Sequence, residues 1–186
     1  RLSQRTPLLE QFGRDVTRQA AEGRLSQIIG RETEVQLMTE TLCRRTKRNP
    51  LLVGPAGVGK TAVVEGLAQR IVRGGVPDAL LGARLIALQP STLIVGGHMV
   101  GDLEKRMQAL LHEASQDGVI LFIDEVHTLI GAGGMPSLND LASLLKPALA
   151  RGEIACIAAT TDDEYRRFIE PDAALERRFQ PIRVQE

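Results

Sequence analysis

The sequence predicts a three-layer α/β domain, in which helices cover both faces of a central parallel sheet. Several short apolar runs lack the polar alternation of a half-exposed strand, so each is typical of a strand that is buried on both faces. Helical patterns follow most of these runs, and strands that alternate with helices build parallel sheets. A glycine-rich loop, GPAGVGKT, joins the first apolar run to the next helical pattern.

The first part of the chain is predicted to lead into the sheet. Residues 1–13 are polar, contain a proline and a glycine, and are expected to be an irregular linker from a preceding domain. A short helix is predicted over Asp15–Ala21, and Gly23 is expected to end it. A longer helix is predicted over Arg31–Arg45 from the three-and-four spacing of its apolar residues, and Pro50 stops its continuation.

Four apolar runs are predicted strands, and a fifth run near the end is a candidate strand. They are Leu51–Gly54, Arg84–Leu88, Val119–Ile123, Ile154–Ala159 and, as the candidate, the segment PIRVQ. Three helices are predicted between them: Thr61–Arg73, a helix marked by Leu103–Ala114, and a helix marked by Leu138–Leu149 in which Pro147 can introduce a kink.

Composition sets limits on the class of protein. The 186 residues are 43% hydrophobic and 25% charged, which suits one soluble globular domain. The 23 basic residues equal the 23 acidic ones, so no global charge attracts nucleic acid or an anionic membrane, and the basic run 44–48 suits a solvated helix end. Cys43 and Cys156 lack the spacing of a disulfide framework or a metal site, which favours a reduced, cytoplasmic setting.

The loop GPAGVGKT has the pattern G-x-x-x-x-G-K-[ST] between a strand and a helix, which is typical of a phosphate-binding loop. Its glycines let successive backbone N–H groups point at phosphate oxygens, and the start of the next helix adds a positive dipole end. Lys60 is expected to reach the β- and γ-phosphates, and the Thr61 hydroxyl to ligate Mg²⁺. The sequence therefore predicts binding of ATP with Mg²⁺ at Gly54, Pro55, Ala56, Gly57, Val58, Gly59, Lys60 and Thr61.

Two acidic residues follow the apolar run VILFI. A carboxylate at the carboxyl end of a buried strand stands where α/β sheets bind ligands. Asp124 is expected in the Mg²⁺ shell, through water, and Glu125 is the candidate base for the attacking water. His127 follows two residues later and is assigned no catalytic role.

Two further polar groups have alternative interpretations. Thr160 and Thr161 end the run IACIAA, where a hydroxyl can bond the γ-phosphate or cap the next helix. Arg177 and Arg178 follow an apolar turn, which on sequence alone favours a solvated face.

Taken together, these segments resemble the first AAA+ module of the Clp unfoldases, the ClpB, ClpC and ClpA class. The resemblance rests on IIGRETEV, GPAGVGKTAVVEGLAQRIV, VILFIDEVHTLIGAGG, LLKPALARGE and ATTDDEYRRFIEPDAALERRF. It implies a P-loop NTPase fold with a five-stranded parallel sheet. It also implies that Ile28 and Ile29 pack against adenine, that Thr161 is the sensor-1 residue, and that Arg177 and Arg178 are arginine fingers for the neighbouring subunit's nucleotide.

The resemblance implies partners and an organisation as well. The module would act in a ring, normally a hexamer, on unfolded or aggregated proteins, and a protease or adaptor would bind through regions outside this chain. Residues 1–13 would be a linker and residues 14–186 the large α/β subdomain, with the small helical lid subdomain outside this chain. The chain departs from the family at the pore segment, where His98 and Met99 replace the usual basic and aromatic residues.

The leading functional prediction is therefore an Mg²⁺-dependent ATPase module of a ring-forming unfoldase or disaggregase. The alternative is a nucleotide-dependent oligomerisation module with little substrate threading, which the non-aromatic pore segment favours. A DNA-directed ATPase is weaker, because the chain has no basic excess and no nucleic-acid motif.

Overall fold

A computed structural model describes residues 5–94, 100–130 and 136–186 of the chain. Its single sheet has the strand order β1-β3-β4-β5-β2-β6. The strands are β1 (Arg14–Asp15), β2 (Asn49–Val53), β3 (Arg84–Leu88), β4 (Val119–Ile123), β5 (Ala155–Thr160) and β6 (Phe179–Arg183).

Helices connect the strands and cover the sheet. They are α1 (Pro7–Phe12), α2 (Val16–Ala21), α3 (Glu32–Leu42), α4 (Lys60–Val72), α5 (Pro90–Ile94), α6 (Val100–Ala114), α7 (Pro136–Ala150), α8 (Asp162–Glu164) and α9 (Ala173–Glu176). Two 3₁₀ turns lie at Asp78–Leu80 and Val126–Leu129, and α8 continues into a π-helical turn at Tyr165–Ile169. The predicted helices are confirmed, with ends that differ by up to three residues.

The four predicted strands and the candidate fifth strand form a parallel sheet in the order β3-β4-β5-β2-β6, which confirms the predicted fold class. The sixth strand is the two-residue β1, which pairs antiparallel with β3 at the sheet edge. Because the other strands are parallel, their carboxyl ends lie at one edge, where ligands bind in open α/β sheets.

The core lies on both faces of the sheet. In β2, Leu51 and Val53 belong to one apolar cluster and Leu52 to the other, and all three side chains are fully buried. Burial on both faces explains why these strands show no polar alternation. Cys156 also lies in this core, where burial raises the pKa of its thiol to about 12, whereas the free Cys43 is exposed.

The expectation of an irregular chain before residue 14 is wrong for Pro7–Phe12, which form α1. Thr6 at the N-cap makes no side-chain cap bond. Instead, the carboxylate of Glu113 on α6 accepts from the backbone N–H groups of Leu8 (3.0 Å) and Leu9 (2.9 Å). Leu9 is fully buried in the core. This helix is therefore stabilised by distant tertiary contacts, and the division into a linker at 1–13 and a subdomain at 14–186 remains a prediction.

Among the described residues, no helix combines the length and the apolar character needed to span a bilayer.

Candidate nucleotide-binding site

A cleft of about 390 Å³ opens at the carboxyl edge of the sheet. It gathers residues from the phosphate loop, the end of β4 and the end of β5. The lining residues are Ala56, Gly57, Gly59, Lys60, Thr61, Asp124, Glu125, His127, Thr160, Thr161 and Glu164. Groups that lie far apart in sequence, and that were predicted to act together, are thus brought to one place.

The phosphate loop takes a conformation that its glycines make possible. Gly57 (φ 77°) and Gly59 (φ 106°) both occupy the left-handed region, which side chains disfavour. Gly54 leaves no room for a side chain, because a Cβ there would collide with the carbonyl oxygen of Val184. The loop then enters α4 at Lys60, so the N-terminal end of that helix faces the cleft.

Lys60 supplies a positive charge at the centre of the loop. Its Nζ donates to the carbonyl oxygens of Gly54 (2.6 Å) and Pro55 (2.9 Å). Burial lowers the pKa of the Lys60 ammonium, and the nearby carboxylates of Asp124 and Glu164 oppose that shift by favouring the charged form. A partly desolvated ammonium of this kind suits an anionic ligand such as a phosphate group.

Asp124 and Glu125 end β4 in an unusual backbone conformation. The Asp124 Oδ1 atom accepts from the backbone N–H of Glu125 (2.9 Å). Glu125 itself has φ 50°, in the left-handed region that non-glycine residues rarely adopt. The backbone N–H and the hydroxyl of Thr128 both donate to the Glu125 carbonyl oxygen and hold this conformation. Backbone outliers of this type occur at functional sites, and this one lies in the cleft.

The two interpretations of the threonines at the end of β5 are compatible. The Thr161 hydroxyl oxygen caps α8 by accepting from the backbone N–H of Glu164 (3.5 Å). A hydroxyl that accepts can still donate, so its proton stays available to a ligand in the cleft. Thr160 is 2% exposed, and its Oγ1 lies 3.1 Å from Nδ1 of His127.

Arg177 and Arg178 lie away from this cleft. They directly precede β6, whose first residue Phe179 is paired with Asn49 at the start of β2. The phosphate loop follows the other end of β2, so the two arginines stand at the opposite edge of the sheet. Arg177 is exposed, with Nε donating to the carbonyl oxygen of Ala173 (3.2 Å).

The predicted adenine segment lies beside the loop and outside the lining of the cleft. Ile28 packs next to Gly66 of α4, whereas Ile29 is 79% exposed. Arg31 ties this segment to the loop by donating to the Val58 carbonyl oxygen (2.7 Å). The predicted pore residues His98 and Met99 lie outside the described residues.

Three residues at or near the site were not predicted from sequence. Arg31 has no recognisable signal, since its acceptor is a distant backbone carbonyl. His127 was assigned no role, yet it lines the cleft. Glu164 does carry a signal, the spacing T-x-x-E of a capping box, but that pattern directs the side chain to its own helix.

The donor set fits Mg²⁺ shared with phosphate groups. Within the described part of the chain, no group of three or more His, Cys, Asp or Glu residues could hold a metal ion on its own. Thr61 and Asp124 both line the cleft and offer hard oxygen donors. Mg²⁺ is usually held by one or two such groups together with water and substrate phosphates.

Comparisons with known proteins point to one family. Residues 50–185 match the family described as "ATPase family associated with various cellular activities (AAA)". The chain is 53% identical over 184 residues to the ATP-dependent Clp protease ATP-binding subunit ClpA homolog CD4B, chloroplastic, of Solanum lycopersicum. The aligned region covers 98% of this chain and 20% of that protein. It is 54% identical over 178 residues to the chaperone protein ClpB of Gloeobacter violaceus, which covers 95% of this chain and 20% of the relative.

Solved structures agree with these sequence matches. The Hsp104–ADP complex of Saccharomyces cerevisiae superposes with a TM-score of 0.86 at 46% identity, over 96% of this chain and 30% of that one. Hsp104 with ATPγS and FITC casein gives a TM-score of 0.86 at 45% identity, over 96% of this chain and 31% of that one. The chain thus spans about a fifth of the curated relatives.

Proposed function

Since the chain belongs to the AAA family of ATPases, we propose that it binds and hydrolyses Mg²⁺-ATP at the cleft on the carboxyl edge of its sheet. The observation that carries this proposal is the meeting of Lys60, Glu125 and Thr161 in one cleft, from three separate elements. The Clp-type resemblance that the sequence indicated is confirmed by the relatives.

Each element has a distinct task in this proposal. The backbone N–H groups of the loop and the Lys60 ammonium bind the phosphates, as the anion-binding chemistry of the loop requires. Thr61 and Asp124 would hold Mg²⁺, which neutralises phosphate charge when it is bound. Glu125 accepts a proton from the attacking water, and the Thr161 hydroxyl donates to the γ-phosphate.

The position of Arg177 and Arg178 supports an active site that is shared between subunits. Both arginines lie at the edge opposite the phosphate loop of their own chain. In a head-to-tail ring, one subunit presents this edge to the carboxyl edge of the next, where an arginine can stabilise charge in the transition state. We therefore extend the proposal to a ring, normally a hexamer, with fingers supplied in trans.

We further propose that the ring remodels unfolded or aggregated proteins. Two of the similar Hsp104 structures are complexes with casein, and the similar proteins of known function are chaperones or ATP-binding subunits of a Clp protease. The relatives do not support the alternative of a module that only controls oligomerisation. A protease or adaptor partner remains a prediction, as does the cytoplasmic setting, since several relatives are named as chloroplastic.

The test is nucleotide binding and Mg²⁺-dependent turnover by the full-length protein. Lys60→Ala should abolish binding of a fluorescent ATP analogue, because it removes the only side-chain cation that lines the cleft among the described residues. The matched control is Lys105→Ala, an exposed lysine of α6 that does not line the cleft. Equal binding by wild type and Lys60→Ala would refute the proposed site.

A further inference from the structure

Glu164 has the sequence position of a helix cap but does not complete that cap. In the segment Thr161–Glu164, the spacing T-x-x-E is that of a capping box, in which the glutamate turns back to the backbone N–H of the threonine. The first half is present, because the Thr161 hydroxyl oxygen accepts from the backbone N–H of Glu164. The second half, the bond from the glutamate back to the threonine N–H, is not formed. The Glu164 carboxylate extends instead to His127, and its Oε1 lies 3.7 Å from Nε2 of the imidazole.

This orientation is costly for the carboxylate. The second oxygen of Glu164, Oε2, is inaccessible to water and has no hydrogen-bond partner among the residues that the structure describes. A buried acceptor without a donor loses the hydration it would have in water, and returning to the cap would supply a donor. The capping pattern therefore does not explain where Glu164 lies, and the nearby Lys60 ammonium also attracts its carboxylate.

The contact with His127 continues to the end of β5. His127 is 14% exposed, and its Nδ1 lies 3.1 Å from the Thr160 hydroxyl oxygen. A proton on Nε2 would face the Glu164 carboxylate and would leave Nδ1 to accept from the Thr160 hydroxyl. Thr160 is itself joined to the phosphate loop, since its carbonyl oxygen accepts from the backbone N–H of Gly54 (3.3 Å).

Three parts of the proposed site are therefore connected by one chain of contacts. Glu164 lies on α8, His127 on the turn that follows Glu125, and Thr160 directly before the sensor residue Thr161. All five of these residues line the cleft. A displacement of the imidazole would change the position of the strand end from which the Thr161 hydroxyl acts.

We propose that Glu164 and His127 are positioning residues of the ATPase site, in which the carboxylate holds the imidazole and the imidazole holds the Thr160–Thr161 strand end at the γ-phosphate. This inference rests on the proposed function and adds two residues that act through others. It predicts a specific effect on nucleotides that carry a γ-phosphate, whereas a purely structural role would affect ATP and ADP alike.

The experiment measures kcat and KM for ATP, the affinity for ADP, and Tm in the full-length protein. Glu164→Ala and His127→Ala should each lower kcat by about tenfold or more, in the range known for residues that orient active-site groups. ADP affinity and Tm should stay near wild type. Glu164→Gln should restore most of the activity, because its amide oxygen can still accept from Nε2 of His127.

Two comparisons separate positioning from a general loss of structure. Asp163→Asn is the matched control, since Asp163 is exposed in the same turn and does not line the cleft, and it should leave kcat unchanged. The double variant Glu164→Ala/His127→Ala should lose no more kcat than either single variant, because both residues act in one chain of contacts.

The inference is overturned if Glu164→Ala keeps kcat within twofold of wild type, if its losses for ATP and ADP are equal, or if the two single losses add in the double variant. Each of these results requires a wild type that hydrolyses ATP. A wild type that neither binds nor hydrolyses ATP would instead overturn the proposed function.

Discussion

Separating the two halves of the proposed active site onto different subunits gives a quantitative test of the shared site. A finger variant carries Arg177→Ala and Arg178→Ala and keeps the phosphate loop intact. A loop variant carries Lys60→Ala and keeps both arginines. Each variant alone should be nearly inactive. The ATP turnover of the finger variant should fall by about 10³-fold or more if the arginines act as fingers.

The sheet geometry places the two proposed halves of the site at opposite edges of the same chain. β6 runs parallel to β2, with Phe179 opposite Asn49 and Arg183 opposite Val53. Five strand residues at about 3.3 Å each place roughly 16 Å between the arginine backbone and the edge that carries the loop. An arginine side chain is shorter than this distance, so Arg177 and Arg178 can act as fingers only on the nucleotide of a neighbouring subunit.

The assay mixes the two variants in equal amounts, allows subunits to exchange, and records steady-state ATP hydrolysis. A site is complete only where a finger-variant subunit supplies the intact loop and a neighbouring loop-variant subunit supplies the intact arginines. Random mixing in a head-to-tail ring makes about one site in four complete, so the mixture should regain about a quarter of wild-type turnover. In two control mixtures, each variant is combined with a triple variant that carries Lys60→Ala, Arg177→Ala and Arg178→Ala. Neither control mixture should regain ATP turnover.

Two results would rule out an active site that is shared in this way. A mixture no more active than the separate variants would show that the arginines do not complete a neighbour's site. A finger variant with wild-type turnover would show that they are not needed for hydrolysis.

Three further predictions concern the fold, the loop and the predicted pore segment. Glu113→Ala should speed amide hydrogen exchange at the start of α1 by about ten- to hundredfold, because two charge-assisted hydrogen bonds are lost. The control Glu104→Ala, on the exposed side of α6, should leave this exchange unchanged. Gly54→Ala should weaken nucleotide binding, since its Cβ would collide with the Val184 carbonyl oxygen; unchanged affinity would contradict this packing argument. Met99→Ala should slow unfolding of a tagged substrate if this segment pulls on it, and equal unfolding rates would show that it does not.

Much of the fold could be predicted because its strands are buried on both faces. The run Val119–Ile123 was predicted with its observed ends, since five successive apolar residues between Gly118 and Asp124 are too few for a helix and suit a buried strand. The strand β1 and the helix α1 were missed for the opposite reason. β1 is the polar pair Arg14–Asp15, and α1 is only six residues long and depends on Glu113, which lies about a hundred positions away along the chain.

The candidate site also has a part that could be predicted from the sequence and a part that could not. The phosphate loop and Asp124-Glu125 were predicted because their chemistry follows from local residue patterns, and the structure brings them to one cleft. The contact of Glu164 with His127 could not be predicted, because the local pattern indicates a cap and His127 comes from another element. The left-handed backbone of Glu125 also has no sequence signal, since glutamate rarely adopts it.

Hydrolysis of ATP by this chain with Glu125 as the base is tested by the variant Glu125→Gln. This substitution keeps the size of the side chain and removes its capacity to accept a proton. The full-length variant should bind ATP with near wild-type affinity, while its turnover should fall by about 10²–10⁴-fold. An unchanged rate of ATP hydrolysis in Glu125→Gln would show that Glu125 is not the base.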